Sequence, residues 1–324
     1  MKQILMTGVG AYLPETILTN DELSKFVDTD DNWIRQRTGI ISRRKANSEE
    51  LTSDLAVKAA YQALQSSGLS EMDIDCIIVA TTTPDCTFPS TATIVQQKLG
   101  ALNAFAFDVQ AVCAGFVYAL SVANGLMLAG QGNNTLVIGA ETFTKLLDWN
   151  DRSTCVLFGD GAGAVVLQSE NCKEGYGIIA NTLHSDGRYK DILYVNGGVS
   201  STGTIGHVKM QGRDVFKHAV EKLASAMDEV LRLSNLTSQD IDWLIPHQAN
   251  IRIINAMQKK LNLPNEKVIK TVSHHANTSA ASIPLALTSG VESGKIKSGH
   301  LLALEAIGGG LSWGASLIRY GRPV

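Results

Sequence analysis

Two segments of this 324-residue chain resemble each other closely enough to indicate an internal duplication. Residues 69–79 read LSEMDIDCIIV and residues 236–246 read LTSQDIDWLIP, so that Asp73 in the first copy corresponds to Asp240 in the second. Each copy follows an amphipathic helical pattern and runs into an apolar stretch typical of a β-strand. We therefore expect two similar α/β halves packed around a pseudo-twofold axis.

Further patterns keep nearly the same order and offset. In the first half these are a strand at 105–112, an apolar helix at 113–129 and strands at 135–139 and 162–167; in the second they are 267–272, 279–291, 300–305 and 315–319. We predict an N-terminal half over residues 1–170 and a C-terminal half over 171–324, divided in the polar segment 169–177. Residues 1–8 indicate a first β-strand rather than a signal peptide, and 186–207 a surface insertion.

Composition narrows the class of protein. Hydrophobic residues make up 44 % and charged residues 18 % of the chain, as in a packed globular protein. A net charge of −3 argues against nucleic acid as a partner, and no apolar run approaches the roughly 18 residues of a membrane span. Five cysteines without paired spacing fit a reducing compartment, so we expect a cytoplasmic protein.

Cys113 is the cysteine whose surroundings favour reactivity. It ends a strand and begins a helix, between the small residues Ala111, Ala114 and Gly115. The positive end of the helix dipole at that point favours thiolate over thiol. The alternative is a small buried hydrophobic residue, which is the usual role of a buried cysteine.

Two polar residues lie at comparable places in the second half. His247 follows the strand-like segment 243–245, and Asn277 precedes an apolar helix, at a point that we take as equivalent to Cys113. Sites in α/β units form at the carboxyl ends of strands, so these three residues are expected to converge. Taken alone, His247 fits a structural hydrogen-bonding role and Asn277 an N-cap.

The glycine-rich segments allow two interpretations. Gly308-Gly309-Gly310 follows a strand-like run and could turn a backbone amide toward a substrate oxygen, or could form a tight turn. Residues 159–163 resemble a nucleotide-binding loop but precede a strand, so we interpret them as a turn. His274 and His275 have no third ligand at a suitable spacing, and no metal site is expected.

Motifs along nearly the whole chain resemble the β-ketoacyl-acyl-carrier-protein synthase III family of thiolase-fold enzymes. They are Asn32-Trp33-Ile34 with Arg37-Thr38-Gly39-Ile40, Phe88-Pro89-Ser90, the segment around Cys113, residues 158–163, 246–250 and 277–281, and the triple glycine. The resemblance implies a thiolase-like α/β fold with duplicated halves in a five-layer αβαβα arrangement. It also implies a decarboxylating condensation of an acyl-CoA starter, with acetyl-CoA expected, and malonyl-acyl carrier protein, which initiates bacterial fatty-acid synthesis.

The resemblance further implies residue roles. Cys113 would carry the acyl group, His247 and Asn277 would stabilise the enolate, and the amides of Cys113 and Gly309 would form an oxyanion hole. CoA would contact Trp33, Arg37, Thr38, Arg152, Gly212, Phe216, Ala249 and Asn250. An acidic acyl carrier protein would contact Lys217, Gln248, Ala249, Asn250, Ile251, Arg252, Lys259 and Lys260. Phe88 and Ile307 would shape the acyl pocket, Phe88 across a homodimer interface, with no cofactor beyond these substrates.

Two positions depart from the family pattern and leave the starter group open. Ala276 replaces a common glycine, and Ile307 replaces a frequent phenylalanine. A thiolase would use a second cysteine as base near the C-terminal glycine loop, and this sequence has none after Cys172. Elongating ketosynthases use a second histidine where this chain has Asn277. Plant-type polyketide synthases usually carry a proline in the glycine loop, so Gly308-Gly309-Gly310 disfavours that family. A secondary, polyketide-like pathway and a non-catalytic carrier-binding scaffold are the remaining alternatives.

Overall fold

A computed structural model describes residues 2–323. The strands are β1 (Lys2–Tyr12), β2 (Ile17–Thr19), β3 (Ser42–Arg44), β4 (Cys76–Ala80), β5 (Phe105–Val109), β6 (Asn134–Glu141), β7 (Gly161–Asn171), β8 (Gly177–Ser185), β9 (Leu193–Val195), β10 (Val208–Met210), β11 (Trp243–Pro246), β12 (Leu301–Gly308) and β13 (Ser312–Arg319). The helices are α1 (Asn20–Leu23), α2 (Asp31–Thr38), α3 (Thr52–Ser67), α4 (Thr91–Leu99), α5 (Gly115–Leu128), α6 (Gly212–Leu233), α7 (Ile251–Lys260), α8 (Val272–His275) and α9 (Ser282–Glu292). None of these helices is long and apolar enough to cross a bilayer.

The duplication is visible as two sheets with the same strand arrangement. One sheet has the order β1-β7-β6-β4-β5 and the other β11-β12-β13-β8. The starts of β4 and β11 are separated by the same offset as Asp73 and Asp240, and so are the starts of β6 and β12. In each sheet this pair is parallel and is followed by two antiparallel neighbours. β7 ends at Asn171 and β8 begins at Gly177, within the predicted dividing segment, although the division at residue 170 itself stays a prediction.

The predicted counterpart of β5 does not form a strand. Residues 267–272 make one isolated parallel bridge, between Leu244 and Val268. A 3-10 turn over Asn265–Lys267 and the start of α8 at Val272 leave only residues 268–271 between them. The prediction of a strand was wrong, because the pairing in this stretch is limited to the bridge at Val268 and its two ends lie in the 3-10 turn and in α8.

Alternating side chains on the strands pack into separate cores, which produces five layers. Ile77 and Val79 of β4 face α3 and α4, while Ile78 and Ala80 face the central helices α5 and α9. In the second sheet, Leu304 faces the same central layer, and side chains on the opposite face of β12 pack against α6 and α7. The order is therefore helices, sheet, helices, sheet, helices.

The central helices start at equivalent turns in the two halves. Val112–Ala114 and Ser279–Ala281 are 3-10 turns that precede α5 and α9, and they keep the same offset as the paired strands. Val112 and Ser279 have positive φ values of 50° and 49°. This register makes Ala280, rather than Asn277, the equivalent of Cys113, so the expected equivalence of Asn277 is wrong. The two turns contact each other, which still brings Asn277 to the cysteine side of the fold.

The segment 186–207 lies at the surface, as predicted. It contains a 3-10 turn over Gly187–Tyr189 and the strand β9, which pairs with β10. Val199 and Ile205 near its tip are exposed hydrophobic residues. Leu193 of β9 is the member of this segment that reaches both of the cavities described below.

Candidate active site

A cavity of about 830 Å³ is lined by residues from both halves of the chain. Cys113 enters it from the turn before α5, His247 from the loop after β11, and Asn277 from the loop after α8. The structure therefore brings together the three residues that the sequence singled out. Each of the three lies at or beside the carboxyl ends of strands, where α/β folds build their sites.

Cys113 is buried, and burial determines its protonation. Loss of solvation raises the pKa of the Cys113 thiol to about 12, although the Ser279 hydroxyl, the backbone amide of Cys113 and the Asn277 amide each lower it. The expectation that the helix start favours thiolate is wrong, because desolvation outweighs these hydrogen bonds. The thiol is protonated at neutral pH.

Contact with the cavity, rather than burial, separates Cys113 from the other cysteines. Cys76 and Cys155 are also fully buried, and burial raises their pKa values to about 12 and about 11. Neither lines either of the two main cavities formed by residues 2–323. Cys86 is exposed and Cys172 half-buried, both outside helices and strands.

His247 is held by its backbone and by its ring. Its amide donates to the carbonyl oxygen of Glu305 on β12 at 2.8 Å. Its Nδ1 lies 2.6 Å from Oγ of Ser282, the first residue of α9. Burial lowers the pKa of the imidazole to about 3, so the ring is neutral. Nε2 remains the nitrogen that is free to contact a ligand in the cavity.

The Asn277 side chain is held by one hydrogen bond through its oxygen. Its Oδ1 accepts a hydrogen bond from the amide of Ser279 at 2.8 Å, which caps the turn before α9. Because the oxygen is occupied, the Nδ2 amide group is the part of the side chain that is left as a donor. Its backbone is fixed by hydrogen bonds with Leu157 and Gly159.

The glycine loop packs against the backbone of Cys113. β12 ends at Gly308 and β13 begins at Ser312, so residues 309–311 form the tight turn that was one of the two interpretations. A Cβ on Gly308 would lie 2.7 Å from the Cys113 amide nitrogen, which requires glycine here. Within residues 2–323, neither the Cys113 amide nor the Gly309 amide donates a hydrogen bond to another backbone group. Both amides therefore keep the capacity expected of oxyanion donors.

The residues expected to contact CoA lie at the same cavity, with one exception. Seven line it: Trp33, Arg37, Thr38, Gly212, Phe216, Ala249 and Asn250. Arg152 is outside the lining, but its guanidinium lies 5.3 Å from the Trp33 ring centroid, and Arg37 lies 4.4 Å from the same ring. Trp33 is thus accompanied by two cations near the exposed end of the cavity. Arg213 also lines it and was not singled out from the sequence.

The expected carrier-protein contacts divide into exposed and buried residues. Lys217, Arg252, Lys259 and Lys260 are exposed, and the Arg252 guanidinium lies 5.4 Å from the Phe216 ring centroid. Ala249, Asn250 and Ile251 are not fully exposed. Gln248 is fully buried; its amide donates to Pro246 and Ile269 and accepts from Thr271 and Val272. The prediction that Gln248 contacts a carrier protein was wrong, because these backbone contacts occupy it.

A second cavity of about 490 Å³ lies on the other side of Leu193. Its lining includes Val112, Phe143, Gly309 and Tyr194. Ile307, predicted for the acyl pocket, lines the first cavity together with Cys113. Phe88 lines neither of these two cavities in the isolated chain and is 83 % exposed.

Two buried acids near the site were not found from the sequence. Glu141 at the end of β6 accepts hydrogen bonds from Thr82 and Thr83, and its charge raises the pKa of Cys113. Glu305 is fully buried, and neither of its carboxylate oxygens has a hydrogen-bond partner within residues 2–323. Burial raises the pKa of Glu305 to about 8. Isolated acids in apolar strands give no recognisable sequence pattern, so neither could have been assigned in advance.

Comparison with known proteins identifies the class and the family. Residues 107–187 match the family described as 3-oxoacyl-[acyl-carrier-protein (ACP)] synthase III, and residues 231–320 match the C-terminal family of the same description. A beta-ketoacyl-[acyl-carrier-protein] synthase III from Hyphomonas neptunium is 57 % identical over 320 residues, covering 98 % of this chain and 99 % of the relative.

Solved structures give the same result. The crystal structure of 3-oxoacyl-[acyl-carrier-protein] synthase III from Aquifex aeolicus VF5 is 46 % identical, with a TM-score of 0.93 and coverage of 98 % of this chain and 100 % of that one. The priming beta-ketosynthase from the R1128 polyketide biosynthetic pathway is 34 % identical, with a TM-score of 0.93 and coverage of 99 % and 97 %.

The fold and the site define a thiolase-fold acyltransferase of the condensing type, which confirms the predicted fold class and enzyme class. The chain belongs to the beta-ketoacyl-[acyl-carrier-protein] synthase III family. The predicted general function, initiation of fatty-acid synthesis, is confirmed. The function of the family implies an acyl carrier protein and an acyl-CoA as partners.

Proposed function

We propose that this chain condenses an acyl-CoA starter, in the first instance acetyl-CoA, with malonyl-acyl carrier protein, using Cys113, His247 and Asn277. The observation that carries the proposal is that these three side chains line one cavity of about 830 Å³. The cavity also reaches Trp33, Arg37 and Phe216, which suit a CoA nucleotide and its pantetheine arm. No metal or further cofactor takes part in the proposed chemistry.

In the first stage the sulfur of Cys113 attacks the thioester carbonyl of acyl-CoA. A carbon–sulfur bond to Cys113 forms, the bond to the CoA sulfur breaks, and the thiol proton leaves with CoA as its free thiol. The amides of Cys113 and Gly309 would hold the oxyanion of the tetrahedral intermediate. Burial raises the pKa of the Cys113 thiol, so the proposed attack starts from the protonated thiol.

In the second stage malonyl-acyl carrier protein replaces CoA. Its carboxylate leaves as carbon dioxide, and the bonding electrons form an enolate whose oxygen accepts hydrogen bonds from His247 Nε2 and Asn277 Nδ2. The enolate carbon attacks acyl-Cys113, the carbon–sulfur bond breaks, and Cys113 takes up a proton. The neutrality of His247 supports this role, because a buried neutral donor stabilises the enolate without protonating it.

The proposal includes a homodimer and the predicted division near residue 170. Phe88 is largely exposed, and the 490 Å³ cavity beside Val112 and Gly309 is a candidate site for the acyl chain. We place Phe88 at the corresponding cavity of a second copy. The five cysteines are all unpaired, which supports a cytoplasmic location.

A second candidate is the same reaction with another starter in a secondary pathway. The 34 % identity to a priming ketosynthase of a polyketide pathway supports this second candidate. Its chemistry at Cys113 is the same, so the two candidates differ in the acyl-CoA used. A panel of acyl-CoAs of increasing chain length and branching distinguishes them.

The test is formation of 3-oxoacyl-acyl carrier protein from acetyl-CoA and malonyl-acyl carrier protein, followed by mass. We expect product with the wild type and none with Cys113→Ala. Cys155 is buried but lines neither cavity, so Cys155→Ala should keep its activity. Product with longer acyl-CoAs alone would favour the second candidate. Binding of the carrier protein without turnover of any acyl-CoA would indicate a non-catalytic scaffold.

A further inference from the structure

The ring of His247 is paired with a serine hydroxyl, and that serine has one further hydrogen bond. Ser282 Oγ lies 2.6 Å from His247 Nδ1 and accepts a hydrogen bond from the backbone amide of Gln248 at 3.3 Å. Ser282 is the first residue of α9, and Ala281 occupies the N-cap position. The hydroxyl therefore points to the loop that carries His247 and Gln248 rather than capping its own helix.

The single hydroxyl proton of Ser282 determines which nitrogen of His247 is protonated. The Gln248 amide can only donate, so the Ser282 oxygen acts as its acceptor. The hydroxyl has a single proton, and within residues 2–323 the one acceptor in hydrogen-bond contact with it is His247 Nδ1. If Nδ1 carried the proton instead, the serine proton would be buried without a partner.

The energetic difference between the two arrangements is large enough to decide the tautomer. Ser282 is 1 % exposed and His247 is 5 % exposed, so water does not replace a missing partner readily. The free energy lost when one buried polar group has no partner corresponds to a population ratio of about tenfold or more. The neutral ring has only two tautomers to distribute, so the one with the proton on Nε2 predominates.

We propose that Ser282 is a positioning residue that keeps the proton of His247 on Nε2, so that the ring presents a hydrogen-bond donor to the reaction cavity. The donor on Nε2 faces the developing enolate oxygen, which must accept a hydrogen bond. The opposite tautomer would present a lone pair to that oxygen and repel it. This inference rests on the proposed function for the role of the donor, but the tautomer itself can be measured without turnover.

The backbone around His247 makes the serine contact specific. The hydrogen bond from the His247 amide to Glu305 fixes the residue against β12, and the amide of Ala249 donates to the His247 carbonyl at 2.9 Å. With both backbone groups used, ring rotation is the freedom that remains. The 2.6 Å contact with α9 restricts that rotation, as second contacts to catalytic histidines do in other enzymes.

The direct test is a ¹H–¹⁵N correlation spectrum of ¹⁵N-histidine-labelled protein, with His247 assigned by its loss in His247→Asn. We expect a protonated Nε2 and an unprotonated Nδ1 in the wild type at neutral pH. In Ser282→Ala we expect the two nitrogens to become averaged between tautomers. A wild-type spectrum with the proton on Nδ1 overturns the proposal, and this reading needs no variant of Ser282.

The kinetic test separates the two stages. Ser282→Ala should slow decarboxylation of malonyl-acyl carrier protein by the preacylated enzyme by about 10–100-fold. Acylation of Cys113 by acyl-CoA, read by intact mass, should stay within about threefold because it does not use the Nε2 donor. Ser282→Thr keeps a hydroxyl and should restore the rate toward wild type. Ser316→Ala, which removes another buried hydroxyl outside the cavities, is the matched control.

The outcomes distinguish the positioning role from the proposed function. Slowing of both stages equally in Ser282→Ala, or no slowing of decarboxylation, contradicts the positioning role. If the wild type has the Nε2 proton but condenses no acyl-CoA with malonyl-acyl carrier protein, the proposed function fails while the tautomer assignment stands. If condensation proceeds with the proton on Nδ1, the positioning role and the proposed donation from His247 Nε2 fail, while the condensing activity itself stands.

Discussion

Gly308 lies directly against the amide nitrogen of Cys113, with no room between them for a side chain. A Cβ built on Gly308 would lie 2.7 Å from that nitrogen and 2.7 Å from the carbonyl oxygen of Ala111. The last residue of β12 in one half therefore fixes the nucleophile turn of the other. The proposed oxyanion hole depends on this contact, because it places the glycine turn beside the Cys113 amide.

We predict that Gly308→Ala displaces the Cys113 turn. Turnover should fall by more than about 100-fold, and stability by about 1–3 kcal/mol, because a packed backbone must move. Condensation rate and urea unfolding measure the two effects. Gly125→Ala is the control, since Gly125 is exposed in α5 with no atom within 4 Å of the added Cβ. Turnover of Gly308→Ala within about threefold of wild type would show that the contact is dispensable.

Glu305→Gln should change how stability depends on pH. Burial raises the Glu305 pKa from 4.5 to about 8, so between these values the unfolded chain releases this proton and the folded protein keeps it. That difference lowers stability as pH rises from about 4.5 to about 8, and glutamine removes it. Relative to wild type, the variant should gain at least about 1 kcal/mol between about pH 5 and about pH 8.

Urea unfolding at the two pH values measures this gain. Glu266→Gln, at an exposed position, should follow the wild-type curve throughout. Parallel curves for Glu305→Gln and wild type would mean that Glu305 titrates normally in the folded protein.

The exposed cations of α6 and α7 should differ in their contribution to carrier-protein binding. Arg252 lies at the cavity entrance beside Phe216, whereas Lys260 ends α7 away from it. Arg252→Ala should raise the KM for malonyl-acyl carrier protein by about tenfold, and less at high salt, because screening weakens the attraction. Lys260→Ala should change it by less than about twofold. A larger effect for Lys260→Ala would place the docking surface elsewhere on α7.

Phe88→Ala should alter the choice of starter if Phe88 reaches a second copy. The wild type should have the mass of a dimer in solution, and the variant should use longer acyl-CoAs faster relative to acetyl-CoA. Leu102→Ala removes another exposed hydrophobic residue and should leave the preference unchanged. A monomeric wild type, or an unchanged starter preference in a dimeric Phe88→Ala, would remove Phe88 from the acyl site.

The sequence predicted most of the fold because the duplication repeats at a constant spacing. β4 and β11, and β6 and β12, keep the offset that the segments at 69–79 and 236–246 indicated. The strand predicted at 267–272 failed because hydrophobic residues such as Val268 and Ile269 do not show that a 3-10 turn and α8 occupy the two ends of this stretch.

Motifs in the sequence predicted the residues of the candidate site. They did not predict the pKa of Cys113 or the side-chain contacts of Gln248 and Ser282. The helix start at Cys113 indicated a lowered pKa. Burial in the folded chain and the charge of Glu141 raise the pKa instead, and neither can be read from the segment around Cys113. Gln248 lies in a polar motif, yet its side chain is buried by contacts with the distant residues Ile269 and Thr271. Ser282 is one serine in a small-residue run, and its contact with His247 exists only in the folded chain.

The most direct test of the central claim is to locate the acyl group on the protein. Brief incubation with acetyl-CoA in the absence of malonyl-acyl carrier protein, then acid quenching and peptide mass mapping, should find one acetyl group on the peptide that contains Cys113. The same peptide from Cys113→Ala should be unmodified. An acetyl group on Cys86 or Cys172 instead, or retention of condensing activity in Cys113→Ala, would contradict the account.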